Sequence, residues 1–355
     1  MAYGKGFRAI GGFKKSTTWG TPVAAGANDG FEYVTEGLTP DSQFIPDVSL
    51  TGRASKLFGD KGNEFHSGDV EMDVRYEGIE RFFAMAMGTA GAPSQVASDN
   101  AYKHVFKIND DKEGLHGTLV FNKQVGVWEY TTAKVGGFNL SIKNGTRLRA
   151  KFPMIPQGLN INTGAGTNTN ATVANITMPS NRDFALFSQM VVKINAHDGG
   201  ALANADLVYL SEFEVSLDNS YPTDDVTTRY GYLIDEPIQD GFTMVTGKIA
   251  FSKYFDGTGG NDALLSAMLS KARKKMTVTF TGPIANGTTN FSITLYFPDV
   301  QFSGGDANVG GPGRIPVNLS FEAHRRTAVP TGFPATYQEA VTMEMVNQKS
   351  TDALA

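Results

Sequence analysis

The side chains best suited to chemistry are five histidines: His66, His104, His116, His197 and His324. Imidazoles bind zinc or move protons when several converge, and a helical pair betrays itself by close spacing. No two here have helical or zinc-site spacing, and none sits in an HExxH run, so they read as strand-surface or turn histidines. The chain has no cysteine, which removes disulfides, thiolate ligands and a thiol nucleophile together. No GxSxG elbow presents a serine. The paired acids of INDDKEG and SYPTDDVTT lack calcium-loop spacing and read as turns. GGDANVGGPGRIP (304–316) is glycine-rich, but it lacks the Gly-Lys-Ser/Thr ending of a phosphate loop and leads into a strand pattern. It reads as a hairpin loop. GTGGNDALL could cradle an anion at a helix start, with an ordinary cap as the simpler reading. KARKK (271–275) is either a nucleic-acid contact or a set of cations at a helix C-terminus, where the macrodipole favours them. Asn170 opens an Asn-Ala-Thr glycosylation pattern with nothing else pointing to secretion. No catalytic, cofactor or metal residue is assigned, and no enzyme is expected.

The elements that carry these residues are mostly strands. In VGGFNLSIKNG, Phe138, Leu140 and Ile142 alternate with polar residues, the period of a half-buried strand. RIPVNLSFEAH repeats the pattern with Val317, Leu319 and Phe321, a shift of 179 residues. The same shift carries Gly52 to Gly231, Gly62 to Gly241, Gly68 to Gly247, Val70 to Ile249 and Met72 to Phe251. Helices follow the strands in both halves. In GIERFFAMAMG, Ile79, Phe82, Phe83, Ala86 and Met87 line one helical face, with Gly88 as a stop. In NDALLSAMLSKARKK, Leu264, Leu265, Met268 and Leu269 form the stripe, and Asn261 or Asp262 can cap it. Further strands follow each helix. The order implies two copies of one antiparallel unit with a short helix, at 31–159 and 207–324. One β-sandwich with accidental similarity is the alternative. Residues 1–30 are expected as an N-terminal arm and 325–355 as a C-terminal arm lying on a neighbour. Between the units, 160–206 reads as a linker or insertion that contains a strand (FSQMVVKINAHD).

Composition sets the frame. The 355 residues are 41% hydrophobic and 19% charged, enough to bury a core. Forty glycines and a preference for phenylalanine over tryptophan suit an all-β chain. No apolar run reaches the ~20 residues that span a bilayer, and the N-terminal segment lacks the apolar core of a secretory signal. No membrane insertion is expected. A net charge of −5 disfavours tight phosphate binding.

One family resemblance runs along nearly the whole chain. KKSTTWGTPVAAG (14–26) resembles the opening of tail tube proteins of long-tailed, non-contractile bacteriophages. GDVEMDVRYEGIERFFAMAMG resembles their strand and helix, VYLSEFEVSLDNSYPTDDVTTRYGYLIDEPIQDGFTMVTGKIAFSKY the start of the second half in longer members, and GRIPVNLSFEAHR its closing strand. The resemblance implies a mainly β fold with flanking helices: two tandem β-sandwich or flattened-barrel units whose strands join a ring-wide β-barrel. It implies a structural virion protein of the tail, assembled in the host cytoplasm, whose stacked rings form a conduit for transient, non-specific DNA passage. Two units per chain imply three chains per ring with pseudo-sixfold symmetry, or else six chains. A tape measure protein in the lumen and tail terminator and distal tail proteins are the further partners implied. A tail terminator or distal component, and more remotely a carbohydrate-binding β-sandwich, are the alternatives. Contacts between subunits or rings are expected at Leu57, Phe58, Tyr230, Tyr232, Ile234 and Trp19, apolar residues in loop-like sequence. The alternative for the loops is a hairpin packing on its own domain.

Overall fold

The computed structural model describes residues 4–354 except 51, 90, 91, 163, 165, 223–230, 258 and 259. The main strands of the first half are β1 (Ile10–Lys15), β2 (Thr39–Ile45), β3 (Asp60–Asp73), β4 (Tyr102–Lys107), β5 (Gly117–Asn122), β6 (Val127–Val135), β7 (Gly137–Lys143), β8 (Arg149–Pro156) and β9 (Leu159–Asn162). Those of the second are β10 (Met190–Ala196), β11 (Glu212–Asp218), β12 (Met244–Phe251), β13 (Lys274–Asn286), β14 (Thr289–Asp306), β15 (Val317–Ala323) and β16 (Thr342–Asn347). Helix α1 (Glu80–Met87) follows β3, and α2 (Asp262–Ser270) follows β12. Among the described residues every ladder is antiparallel, and the network does not close into a barrel.

One ribbon of eight strands dominates, in the spatial order β2, β3, β8, β7, β11, β12, β15 and the end of β14. Alternation along each strand gives the ribbon one apolar face, with Val70, Phe152, Leu140, Val215, Ile249 and Leu319 all buried. A second layer covers that face. It holds β1, β5, β6 and β9 in one part and β10, β13, β14, β16 and β4 in the other. Helix α1 lies in the core between them. Phe82 stacks on Phe13 at 4.7 Å and packs on Phe152 at 5.0 Å, while Phe83 meets Phe138 edge-on at 5.5 Å. It ends as its sequence indicates, at a left-handed Gly88 whose N–H reaches Ala84 O. Helix α2 is less covered and leaves Leu269 exposed. Asn261 does not cap it. Its side chain instead accepts from Phe255 N and donates to Lys253 O, tying down the loop before the helix.

Three placements differ from the sequence reading. The two Asn-Leu-Ser strands do not hold matching positions: β7 lies between β8 and β11, whereas β15 lies between β12 and β14. The ends of the chain are built into the fold. β1 pairs with β5 and buries Phe13, and β16 joins β14 to β4 with Met343 and Met345 buried. The described residues of 160–181 form a flap rather than a free linker: Val173 and Ile176 pack on Ala25, Val120 and Val127. The expected strand in FSQMVVKINAHD is β10.

Candidate functional site

The histidines are scattered over the fold. His104 Nε2 meets Asn347 Oδ1 and Lys349 O, both at 3.0 Å, and His197 Nδ1 meets Pro298 O at 3.1 Å. His324 lies 3.9 Å from Glu322. His66 is buried 3.6 Å from Glu64, and burial outweighs that carboxylate and lowers its pKa. His116 completes a Ser–His–Glu line that the sequence did not reveal. Ser16 Oγ is 2.7 Å from Nδ1, and Glu236 lies 3.9 Å from Nε2. Hydrolytic chemistry would need a reachable serine. Here Ser16 is fully buried, and Glu236 is bound to buried Lys134 at 2.6 Å and to Gly114 N at 2.8 Å. The line fastens the 231–241 loop of the second half onto the first half. Among the described residues, no group of three or more His, Asp or Glu could hold a metal ion.

Most of the basic run is engaged within the fold. Lys271 is the left-handed C-cap of α2 and donates to Phe302 O and Ser303 O. Arg273 pairs with buried Asp299, and fully buried Lys275 donates to Gly199 O and Thr331 O. Three of the four cations of the run thus have partners within the fold. The loop 307–316 joins β14 to β15, as a hairpin loop should. Asp111 of INDDKEG accepts from Glu113 N in a turn, and both acids of the second pair, Asp224 and Asp225, lie outside the described residues.

The open face of the eight-strand ribbon is the feature with functional geometry. It is polar and rich in acids, and its cations are matched. Arg149 binds Asp73 and Glu71, Lys151 binds Asp69 at 2.8 Å, and Lys143 binds Glu212 at 3.2 Å. The hydrogen bonds to Asp73 and Asp69 push Arg149 and Lys151 above their ordinary pKa values. Lys248 stands directly across from Glu214.

The ribbon has two open edges, β2 and the 303–306 end of β14. Every residue of β2 is exposed. The connection from β2 to β3 adds an apolar arm, with Val48, Leu50, Leu57 and Phe58 exposed, Phe58 at 85%. The expected contact residues thus divide. Leu57 and Phe58 are free, and Tyr232 is half exposed under Lys61, 4.9 Å from its ring. Ile234 is 1% exposed, packed with Ile155 and Tyr221, and has no surface to offer a neighbour. Trp19 donates to Ile234 O at 3.1 Å and joins the same cluster. Tyr230 lies outside the described residues. Sequence reasoning missed Phe44 and Ile45, exposed on β2. The prolines bracketing them, Pro40 and Pro46, were the available sign of an edge.

A family model described as phage tail tube protein matches residues 6–323. No curated protein matches the chain.

Proposed function

The chain belongs to the phage tail tube protein family, and from that premise we propose that its copies join into stacked rings whose lumen is the open polar face of the ribbon. It is a structural component of the virion tail, and among the described residues no helix is long and apolar enough to cross a membrane. The single observation that carries the reading is the ribbon: antiparallel strands with one packed face, one polar face rich in paired charge, and an open strand edge at each end. A head-to-tail contact that closes on itself turns such a ribbon into a barrel without edges. DNA passing inside would find few free cations, so phosphate contacts would not brake it. Assembly in the host cytoplasm, and contacts with a tape measure protein and with terminator and distal proteins, are part of the same proposal.

We further read the chain as two tandem units, and the ladder registers support this. Val70 faces Phe152 as Ile249 faces Leu319. Leu119 faces Tyr130 as Met276 faces Phe297, each next to a register shift. Phe13 faces Leu119 as Ile194 faces Met276, and Gly11 faces Phe31 as Val192 faces Val208. One matched glycine pair shares a physical reason: a Cβ at Gly68 would lie 2.2 Å from Gly37 O, and one at Gly247 2.5 Å from Glu214 O. In this register β7 corresponds to the end of β14, and β15 to β8. The units then run over about 10–162 and 190–347, wider than 31–159 and 207–324. Two units per chain favour three chains per ring.

Electron microscopy of the purified chain tests the reading. Long hollow tubes are expected; isolated rings that never stack would favour a terminator or distal component, and a monomer at high concentration would contradict assembly.

A further inference from the structure

The chain contains one junction of the kind an assembled ring would need. At it, β7 pairs with β11, from Gly137 opposite Asp218 to Lys143 opposite Glu212. The junction is framed by Asn219 N–H on Gly136 O and Asn144 N–H on Ser211 O. Each partner has a counterpart elsewhere that lacks this contact. β11 runs along β12 as 35–42 runs along β3: Glu212 faces Ala250 and Ser216 faces Thr246, while Thr35 faces Glu71 and Thr39 faces Ser67. β7 follows β6 along β8 as the end of β14 runs along β15: after one register shift, Asn139 faces Lys151 and Asp306 faces Asn318. These two counterparts are the open edges of the ribbon.

Resting on the tube reading above, we propose that residues 35–42 of one copy pair antiparallel with residues 303–310 of the next, in the register of the β7–β11 junction. Transferring the pairing places Asp41 opposite Gly304, Thr39 opposite Asp306 and Gly37 opposite Asn308. The Gly37 N–H already reaches Asp69 O at 2.9 Å, so strand alternation turns the backbone groups of Leu38 and Pro40 toward the incoming strand. Pro40 supplies no N–H there, which limits pairing with unrelated strands. The connecting arms fit the same scheme. In the arm from β11 to β12, residues 232–234 lie on the first half of their own chain: Tyr232 O accepts from Glu64 N at 2.7 Å, and Ile234 O accepts from Trp19. The equivalent arm from β2 to β3 carries exposed Leu50, Leu57 and Phe58, and its place is the second half of the neighbouring copy.

The absence of native cysteine makes disulfide trapping specific. Residues directly opposite on paired strands have Cα atoms about 4.5–5.5 Å apart, within the range a disulfide bridges. In the double variant Thr39→Cys, Asp306→Cys, the two thiols of one chain sit at opposite ends of the ribbon, seven strand intervals of about 4.8 Å apart. Only a bond between copies is therefore possible. Oxidation of assembled tubes should convert monomer into covalent multimers that reductant dissolves. The pair Thr39→Cys, Ala307→Cys is one residue out of register and points to opposite faces; it should stay monomeric. Wild-type hydrogen exchange is the second measurement: amides of 36–42 and 303–309 should become protected on assembly. Tubes in which the in-register pair stays monomeric, or in which these amides stay unprotected, overturn the contact while leaving the tube reading intact. In-register trapping in a protein that forms no tubes supports the contact and contradicts the tube reading instead.

Discussion

Asn168 holds the 160–181 flap to the body. Its backbone N–H and Nδ2 both reach the buried Glu129 carboxylate, at 2.6 and 2.7 Å, and Nδ2 also reaches Val23 O. Its Oδ1 accepts from Ala25 N at 2.8 Å. Asn160 and Asn162 occupy the other carboxylate oxygen. A buried carboxylate needs such a shell, since desolvating it unpaired is far costlier than any one of these bonds. Asn168→Ala should therefore destabilise the chain by about 2 kcal/mol in thermal or denaturant unfolding; an unchanged midpoint would show the flap to be dispensable. Acid sensitivity has a source at the same scale. Burial lowers the pKa of His66 and of His116 in the folded chain, so both bind protons more readily when unfolded. Their contribution to stability is present above the unfolded value, about 6.5, and is lost as pH falls below it. His66→Phe should flatten the loss of stability as pH falls below about 6.5. A slope as steep as wild type would contradict this.

At the scale of elements, the β7–β11 junction depends on Gly137. Its φ is +152°, and a Cβ there would stand 2.0 Å from Leu217 O. Gly137→Ala should cost at least about 2 kcal/mol through backbone strain and a broken ladder, measured by chemical denaturation. The arm between β2 and β3 should behave in the opposite way. Leu57 and Phe58 are exposed in the chain, so Leu57→Asp with Phe58→Asp should leave unfolding unchanged and abolish tube formation, read by sedimentation. Normal tubes from that variant would remove the arm from assembly. Elements whose burial follows a period were legible in the sequence. The stripe of Phe82, Phe83, Ala86 and Met87 announces α1, and Phe138, Leu140 and Ile142 announce β7. β2 has no buried face in the single chain, so TPDSQFI carries no alternation to read. The flap was hidden for another reason: Asn168 is buried to satisfy Glu129, and hydropathy patterns register only apolar burial. β16 did carry a signal, since Val341, Met343 and Met345 alternate inward, but it is one short run in a polar tail.

For the whole molecule, the constant shift of 179 residues was a good guide to one pair of strands and a poor one to another. It matches β3 with β12, where Gly68 and Gly247 both pass close to a facing carbonyl. It also matches β7 with β15, which hold different places in the ribbon. Loops of unequal length between strands change the shift along the chain, and only ladder registers follow such changes. The open face was partly legible. Alternating acids in β3 and β11 mark polar sides, but their pairing with Arg149, Lys151 and Lys143 depends on which strands meet. As proposed, the ribbon is a segment of a ring, with two equivalent units in each chain. The most direct test is to count chains per ring by electron cryo-microscopy of tubes formed by the full chain. Three chains per ring with pseudo-sixfold modulation is the predicted result, and six chains per ring would contradict it.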